Sequence, residues 1–256
     1  MRVELVEGDD DAVIDVARWE SDDLDFWAFD RLLDAADACD APVRVPRAIA
    51  VQVLTRAQRL RPRCNPASSV PWFASVLARH RARHDLTRPL VLADYDHALD
   101  AWQWALRLSP DATASVQLAA LLHDVERLVS EAEQRVEHLA ADYQTFKDAH
   151  ARAGAKIAKQ LLDDAGVPPA VQERTVELIA EHERAGADRE AQVVADADAL
   201  SFFSLNSPGY LAYFGPDQTE RKVAYTLARM SRAARGHLHH LRLPRVVADA
   251  ITRSHR

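Results

Sequence analysis

The sequence has few of the residues that build disulfide scaffolds, tight turns or membrane spans. Its 256 residues include two cysteines, seven glycines and twelve prolines. Cys39 and Cys64 do not form a C-x-x-C pair, which excludes a disulfide framework or thiolate metal cage and favours a reducing compartment. No run of eighteen apolar residues is present, so no membrane association is predicted. Sparse glycine and proline make long helices the first expectation.

The N-terminal residues give no sign of export. Met1 leads into the acidic segment Glu7 to Asp11 without the basic start and apolar stretch of a secretory signal. Hydrophobic residues make up 48% of the chain and charged residues 28%, which is typical of globular proteins with a packed core. A cytoplasmic protein is therefore the expectation.

Charge is distributed unevenly along the first third of the chain. Residues 1–40 contain fourteen acids and three arginines, whereas residues 41–84 contain nine arginines and no acid. The basic stretch could bind a phosphorylated ligand or nucleic acid, or it could pack against the acidic segment before it. The opposite charges nearly cancel, and the whole chain carries a formal charge of −7. The second interpretation is favoured, and nucleic-acid binding is not supported.

Apolar periodicity predicts helices along the whole chain. The fold class is therefore all-α, with an N-terminal helical extension over 1–89, a core over 90–206 and C-terminal helices over 207–256 that pack on the core. The predicted helices cover approximately residues 21–39, 46–60, 69–84, 90–108, 113–129, 143–165, 169–183, 188–205, 217–235 and 244–253.

Five successive predicted helices each carry a hard nitrogen or oxygen ligand. These residues are His97, the doublet His123-Asp124, His150, His182 and Asp196. Apolar residues recur at helical spacing around His150, His182 and His97, which puts each imidazole on an inward face. A lone inward histidine is more often a hydrogen-bonded core residue, but converging imidazoles and carboxylates need a cation. The set therefore predicts a site for divalent metal ions, and Asp124 could bridge two of them.

The order and surroundings of these residues resemble the HD-domain superfamily of metal-dependent phosphohydrolases. Leu-Ala-Ala-Leu-Leu precedes the His123-Asp124 doublet, and Val-Val-Ala-Asp-Ala-Asp-Ala-Leu contains the last acid. The resemblance covers roughly residues 90–206 and implies a helical bundle with His97, His123, Asp124 and Asp196 as core ligands. Asp198 is the second candidate for the last position.

The resemblance also implies a second ion and a reaction class. His150 and His182 are similar to the two extra ligands of dinuclear branches, so two ions are expected, Fe or Mn ahead of Zn, Co or Mg. Val-Glu-Arg follows the doublet where cyclic-dinucleotide phosphodiesterases usually end in Gly-Lys, and no Gly-Tyr-Pro motif follows His182. Hydrolysis of those dinucleotides is therefore not predicted.

The leading hypothesis is hydrolysis of a phosphate monoester or phosphodiester in a small phosphorylated molecule. Asp124 is a candidate catalytic ligand, Arg127 and Lys147 could reach a phosphate from one helical turn away, and Glu126 could donate a proton or orient a ligand. Arg127 could instead pair with Glu131, and Lys147 could be an exposed lysine.

Two alternative functions use the same residues. Some dinuclear members of the superfamily are diiron oxygenases that cleave small phosphonates or polyols, and six His/Asp ligands fit that chemistry equally well. The chain could also be a non-catalytic module that binds a nucleotide or metal. The aromatic and turn-rich segment 207–216 could form a pocket edge or a packed connection. The oligomeric state is not predicted.

Overall fold

The computed structural model of the chain describes residues 2–6, 42–46, 62–128, 142–186, 188–241 and 243–254. The chain divides into two compact units, Met1–Pro62 and Arg63–Arg256. In the first unit, strands β1 (Arg2–Val6) and β2 (Pro42–Pro46) pair in parallel, a feature that the sequence pattern did not indicate. The predicted helix over 21–39, and all of the one over 46–60 except Pro46, lie outside the described residues.

The second unit confirms the prediction of an all-α fold. Nine helices are present in its described part: α1 (Pro71–Ala82), α2 (Pro89–Leu108), α3 (Ala114–Leu122), α4 (Tyr143–Asp164), α5 (Pro169–Glu181), α6 (Arg189–Ser201), α7 (Ser207–Arg229), α8 (Arg232–Gly236) and α9 (Arg245–Ser254). Helix α1, from the segment assigned to the extension, belongs to this unit. None of the described helices has the length and apolar character needed to traverse a bilayer.

Polar caps and glycine determine where several helices begin and end. The side chains of Asp142 and Asp188 accept hydrogen bonds from the backbone N–H groups of Thr145 and Ala191, which would otherwise lack partners in the first turn. Gly166, with φ 71°, follows the last turn of α4 in the left-handed conformation that glycine adopts at low cost. These signals make the boundaries of α4 and α6 readable from the sequence.

Several predicted boundaries differ from the structure, including that of the helix over 217–235, which is observed as α7 (Ser207–Arg229) and α8 (Arg232–Gly236). Helix α3 ends at Leu122 rather than near Val129, so the doublet lies in a turn that leads to a short 3₁₀ segment, Val125–Leu128. Helix α6 passes into a single wide π turn, Phe202–Asn206, and α7 follows at once. The real interruption comes later, where Gly215 has φ 78° and Pro216 cannot continue the hydrogen-bond ladder.

Helix α3 lies at the centre of the unit. Every residue from Ser115 to Leu122 is buried, and α3 packs against α2, α5 and α6. Trp102 is fully buried in α2, and its indole N–H donates to the Gln117 side chain at 3.0 Å, so this polar atom is satisfied inside the core. Helix α4 packs against α5. The end of the central helix therefore faces side chains from several neighbouring helices.

A glycine allows α4 to approach the turn that follows α3. A Cβ atom built at Gly154 would lie 3.1 Å from the backbone oxygen of His123 and 3.8 Å from Cβ of Glu126. The first distance is shorter than ordinary van der Waals contact. Any larger side chain must push the His123 turn and α4 apart, so Gly154 sets the distance between two elements that carry candidate ligands.

We expect Gly154→Val to lower the free energy of unfolding by about 1–3 kcal/mol, because added methyl groups meet backbone in a packed contact. Lys156→Val, on the exposed face of the same helix, is the matched control and should change it by roughly 0.5 kcal/mol, the order of a helix-propensity difference. Urea unfolding followed by far-UV circular dichroism measures both. Equal effects of the two substitutions would show that the close approach does not constrain the fold.

Candidate metal centre

Five helical segments bring histidine and carboxylate side chains to one place. The contributing residues are His97 from α2, His123 and Asp124 from the turn after α3, His150 from α4, His182 immediately after α5 and Asp198 from α6. All of these residues are buried except Asp124, whose side chain is 15% exposed. Their potential ligand atoms form three overlapping groups, with every atom of a group within 4.8 Å of the others.

Two of the histidines are fixed in the same way at the ends of helices. His123 follows the last residue of α3, and its Nδ1 donates to the carbonyl oxygen of Ala120 at 2.9 Å. His182 follows the last residue of α5, and its Nδ1 donates to the carbonyl oxygen of Ile179 at 2.7 Å. Carbonyls in the last turn of a helix have no partner within the helix, so they serve as acceptors here. Both imidazoles in their neutral form therefore present an unprotonated Nε2 to the cluster.

A serine and a carboxylate orient the other two histidines. Ser201 Oγ donates to the carbonyl oxygen of His97 at 3.3 Å and lies 2.8 Å from His97 Nδ1, which assigns the proton of this contact to the imidazole. His150 Nδ1 donates to Glu126 Oε2 at 2.7 Å. With Nδ1 protonated, all four imidazoles make an outer hydrogen bond and direct Nε2 inward, the arrangement typical of metal-ligating histidines.

The first group of inward atoms consists of acceptors at close range. His97 Nε2 lies 3.1 Å from His123 Nε2, and Asp198 Oδ1 lies 3.2 Å and 3.4 Å from these two nitrogens. Asp124 Oδ2 lies 3.9 Å and 3.8 Å from them. Neutral imidazoles in this tautomer have no proton to share, so lone pairs face one another. A cation between them removes this repulsion, and imidazole nitrogen with carboxylate oxygen suits Zn, Fe, Mn and related ions.

The second group, on the other side of Asp124, also brings ligand atoms with lone pairs close together. Asp124 Oδ1 lies 2.8 Å from His150 Nε2, although Nδ1 of that imidazole already donates to Glu126. His182 Nε2 is buried without a hydrogen-bond partner among the described residues and lies 3.5 Å from Glu183 Oε1. An orphaned buried nitrogen is costly unless something binds it. Asp124 faces both groups, with one oxygen toward each.

The pKa shifts in the cluster also indicate that its carboxylates need positive charge nearby. Burial opposes a charge on His123, but the carboxylates of Asp124 and Asp198 raise its pKa to about 9. Burial likewise disfavours ionisation of Asp198, yet the Arg229 guanidinium and His123 hold the pKa of this carboxyl well below its ordinary value. The carboxylates stay charged and draw a proton onto a histidine. A divalent ion supplies that charge without the proton.

The acid that completes the first group is Asp198, which corrects the assignment to Asp196. The Asp196 Oδ1 atom accepts hydrogen bonds from the backbone N–H of Ser231 at 2.8 Å and from Gln192 Nε2 at 3.0 Å, and Asp196 belongs to none of the three ligand groups. Residues two apart on a helix are about 200° apart around its axis. Only one acid of Asp-Ala-Asp can therefore face the histidines, and the sequence does not fix which one.

The four candidate catalytic residues surround the cluster in different ways. Asp124 belongs to two ligand groups, and Arg127 Nε donates to Asp124 Oδ2 at 3.1 Å. Lys147 is buried and forms an ion pair with Glu183, so it is not the exposed lysine of the alternative interpretation. Glu126 binds His150 and orients that imidazole, as one of its two sequence-based interpretations requires.

Two residues that sequence reasoning missed belong to this site. Glu183 joins the second ligand group and follows His182 directly, so the Glu-His-Glu pattern was the available signal. Arg229 of α7 donates to the carboxylate of Asp198 and to the carbonyl oxygen of His182 at 2.8 Å. It joins two ligand-bearing segments from a helix outside the region of resemblance, and nothing in the local sequence indicates that role.

A cavity of about 420 Å³ opens beside the cluster. His97, Asp124 and Asp198 lie on its wall together with three cationic side chains, Arg127, Lys147 and Lys222. This volume is within the ~300–1,000 Å³ of small-molecule sites. Five carboxylates also line the cavity, those of Asp94, Asp96, Asp124, Glu183 and Asp198. The candidate ligands on the wall are therefore accessible to a small molecule.

Residues 76–251 match a protein family described as a domain of unknown function, DUF4202. The chain belongs to this family. The match includes all six converging residues as well as Glu183, Lys222 and Arg229. No curated protein matches the chain, and no solved structure does. Family membership therefore leaves the function to be inferred from the site.

We expect Asp198→Asn to reduce metal binding far more than Asp196→Asn, because only the Asp198 carboxylate points at the histidines. The loss at Asp198 should exceed the roughly 10- to 100-fold that removal of an outer-shell partner costs. Elemental analysis and metal titration of purified protein, with unfolding curves for both variants, measure the effect. Metal loss in Asp196→Asn with full retention in Asp198→Asn would restore the sequence-based assignment.

Proposed function

We propose that the protein is a metal-dependent phosphohydrolase of the HD-domain type, acting on a phosphate monoester or phosphodiester of a small molecule. The observation that carries the proposal is the convergence of four imidazole Nε2 atoms with Asp124 and Asp198 oxygens, next to a cavity whose wall includes His97, both aspartates and three cationic side chains. The order of these residues along the chain, His, His-Asp, His, His, Asp, supports the HD-domain assignment.

The donor set fits two divalent ions. His97, His123 and Asp124 would hold one, together with Asp198, whose Oδ1 atom lies 3.2 Å and 3.4 Å from the two imidazoles. Asp124, His150, His182 and Glu183 would hold the other. Ions bound at such a site lower the pKa of water and offset negative charge on phosphoryl oxygens.

The chain's own residues would bind and orient the substrate. Arg127 and Lys147 line the cavity and place positive charge beside the two ligand groups, where phosphoryl oxygens need it. Glu126 and Arg229 touch ligands rather than the cavity interior, so they act as positioning residues for His150 and for Asp198. Rigid placement of ligands and cations reduces the reorganisation needed as charge develops.

We expect divalent-metal-dependent hydrolysis of aryl phosphate mono- or diesters, and loss of hydrolysis on chelation. His123→Ala should lower the rate by about 1,000-fold or more, the order seen when a central catalytic group is removed. His84→Ala is the control, since His84 is also buried but contacts only His80 and Tyr95 among the described aromatic rings. Release of phosphate or phenol is the readout, with Fe, Mn, Co, Zn and Mg tested separately.

Two results count against the hydrolase proposal. If no phosphate ester in the panel is hydrolysed with any of the metals, the hydrolase proposal is excluded for these esters. Turnover that requires O₂ in metal-loaded protein would identify the oxygenase alternative, whereas equal aerobic and anaerobic rates support hydrolysis.

We expect two bound ions in anaerobically purified protein and about one in His150→Ala or His182→Ala, because each substitution removes a ligand of the second group. His150→Ala is the cleaner test, since His182 also groups with His123 and Asp198. Elemental analysis referred to protein concentration measures the stoichiometry. One ion in the parent and in both variants would reduce the centre to His97, His123, Asp124 and Asp198.

A further inference from the structure

The lining of the cavity has two chemically different parts, which we call its two ends. One end holds the candidate metal ligands, and the other is lined by aromatic side chains from the π turn and the first half of α7. Neighbouring ring centroids in this wall are 4.5–5.7 Å apart, so the rings form a continuous apolar surface. We call it the aromatic wall; it consists of Phe202, Tyr210, Tyr213 and Phe214.

The aromatic wall is partly open to solvent. Tyr213 is 70% exposed, although it lines the cavity and lies against Phe214 at 4.6 Å between ring centroids. Leu90, near the start of α2, lines the same cavity and is 48% exposed. Large apolar side chains left exposed at the rim of a cavity are typical of ligand-binding surfaces.

Lys222 lies between the two ends. Its ammonium group is 5.4 Å from the ring centroid of Phe202 and 5.8 Å from that of Tyr225. The charges that act on it are those of Lys147, Glu183, Arg229 and Asp198. The other two lining cations already have carboxylate partners, Arg127 with Asp124 and Lys147 with Glu183. Among the described residues, none forms an ion pair with Lys222.

A lysine in this position is poised to bind an anion. Ring faces stabilise its charge only modestly, and burial lowers its pKa to about 8. One anionic oxygen of a bound phosphate group would form an ion pair with Lys222, while the other phosphate oxygens face the metal end of the cavity.

We propose that the cavity selects phosphate esters that carry a flat aromatic group, with Lys222 contacting the phosphate and the aromatic wall packing on the ring. This inference rests on the proposed function for its phosphate end. It makes Lys222 and Tyr213, both C-terminal to the last candidate metal ligand, the residues that determine specificity.

The test measures binding of two non-hydrolysable probes, phenylphosphonate and methylphosphonate, to the metal-loaded full-length protein by calorimetry. We expect phenylphosphonate to bind about 10-fold more tightly, since only it reaches the aromatic wall. Tyr213→Ala should weaken phenylphosphonate severalfold and leave methylphosphonate unchanged. Lys222→Met should weaken both about 10-fold, and Lys222→Arg should restore most of the loss.

Lys156→Met is the matched control, because Lys156 is an exposed helical lysine, and it should bind both probes as the parent does. Thermal unfolding of each variant separates loss of binding from loss of fold. Equal affinity for the two probes, or no effect of Lys222→Met on either, overturns the inference.

Failure of the inference and failure of the proposed function give different results. Ester hydrolysis without preference for the phenyl probe leaves the hydrolase proposal intact and removes the aromatic selection. A phenyl preference that depends on Tyr213 and Lys222, in protein that hydrolyses no ester, supports the binding site and contradicts the hydrolase.

Discussion

The hydrogen bond made by each imidazole Nδ1 is the constraint on which the rest of the cluster depends. Once Nδ1–H is committed to a backbone carbonyl, a serine or Glu126, the inward Nε2 atom of a neutral imidazole is an acceptor. Four such nitrogen atoms lie beside carboxylate oxygens, so many lone pairs and few protons meet in one buried space. The fold can tolerate this only with added positive charge, from protons or from metal ions.

For two of the histidines, the end of a helix provides the acceptor for the Nδ1 hydrogen bond. His123 and His182 each occupy the first position after a helix, where the carbonyl three residues earlier has lost its helical partner. The bond from Nδ1 gives the Ala120 carbonyl a donor, adds a second donor to the Ile179 carbonyl, which also accepts from the His182 backbone N–H at 3.4 Å, and fixes both imidazole tautomers. Because α3 ends at Leu122, the Ala120 carbonyl lies in its last turn and accepts the hydrogen bond from His123 Nδ1.

The sequence predicted the elements and the ligand types better than their exact geometry. Periodicity and caps located α2, α4 and α5, and the regular recurrence of histidine on inward faces indicated a metal site. The choice between Asp196 and Asp198 depends on the rotation of α6 about its axis, which small shifts in packing decide. The roles of Glu183 and Arg229 depend on contacts with distant segments, such as the 31-residue separation between Asp198 and Arg229, and local patterns carry no information about them.

The carboxylates of the cluster divide their oxygens between two kinds of partner. Asp198 gives Oδ2 to Arg229 and Oδ1 to the histidines, so the guanidinium holds the carboxylate in place without competing for its inward oxygen. Arginine suits this task better than lysine, because its planar fork also reaches the His182 carbonyl and ties α6 to the end of α5. The helix that carries Arg229 also carries Lys222 and Tyr213. Gly215 and Pro216 separate Tyr213 from the part of α7 that carries Lys222 and Arg229, so a shift of that part would move the partner of Asp198 and the proposed phosphate contact together.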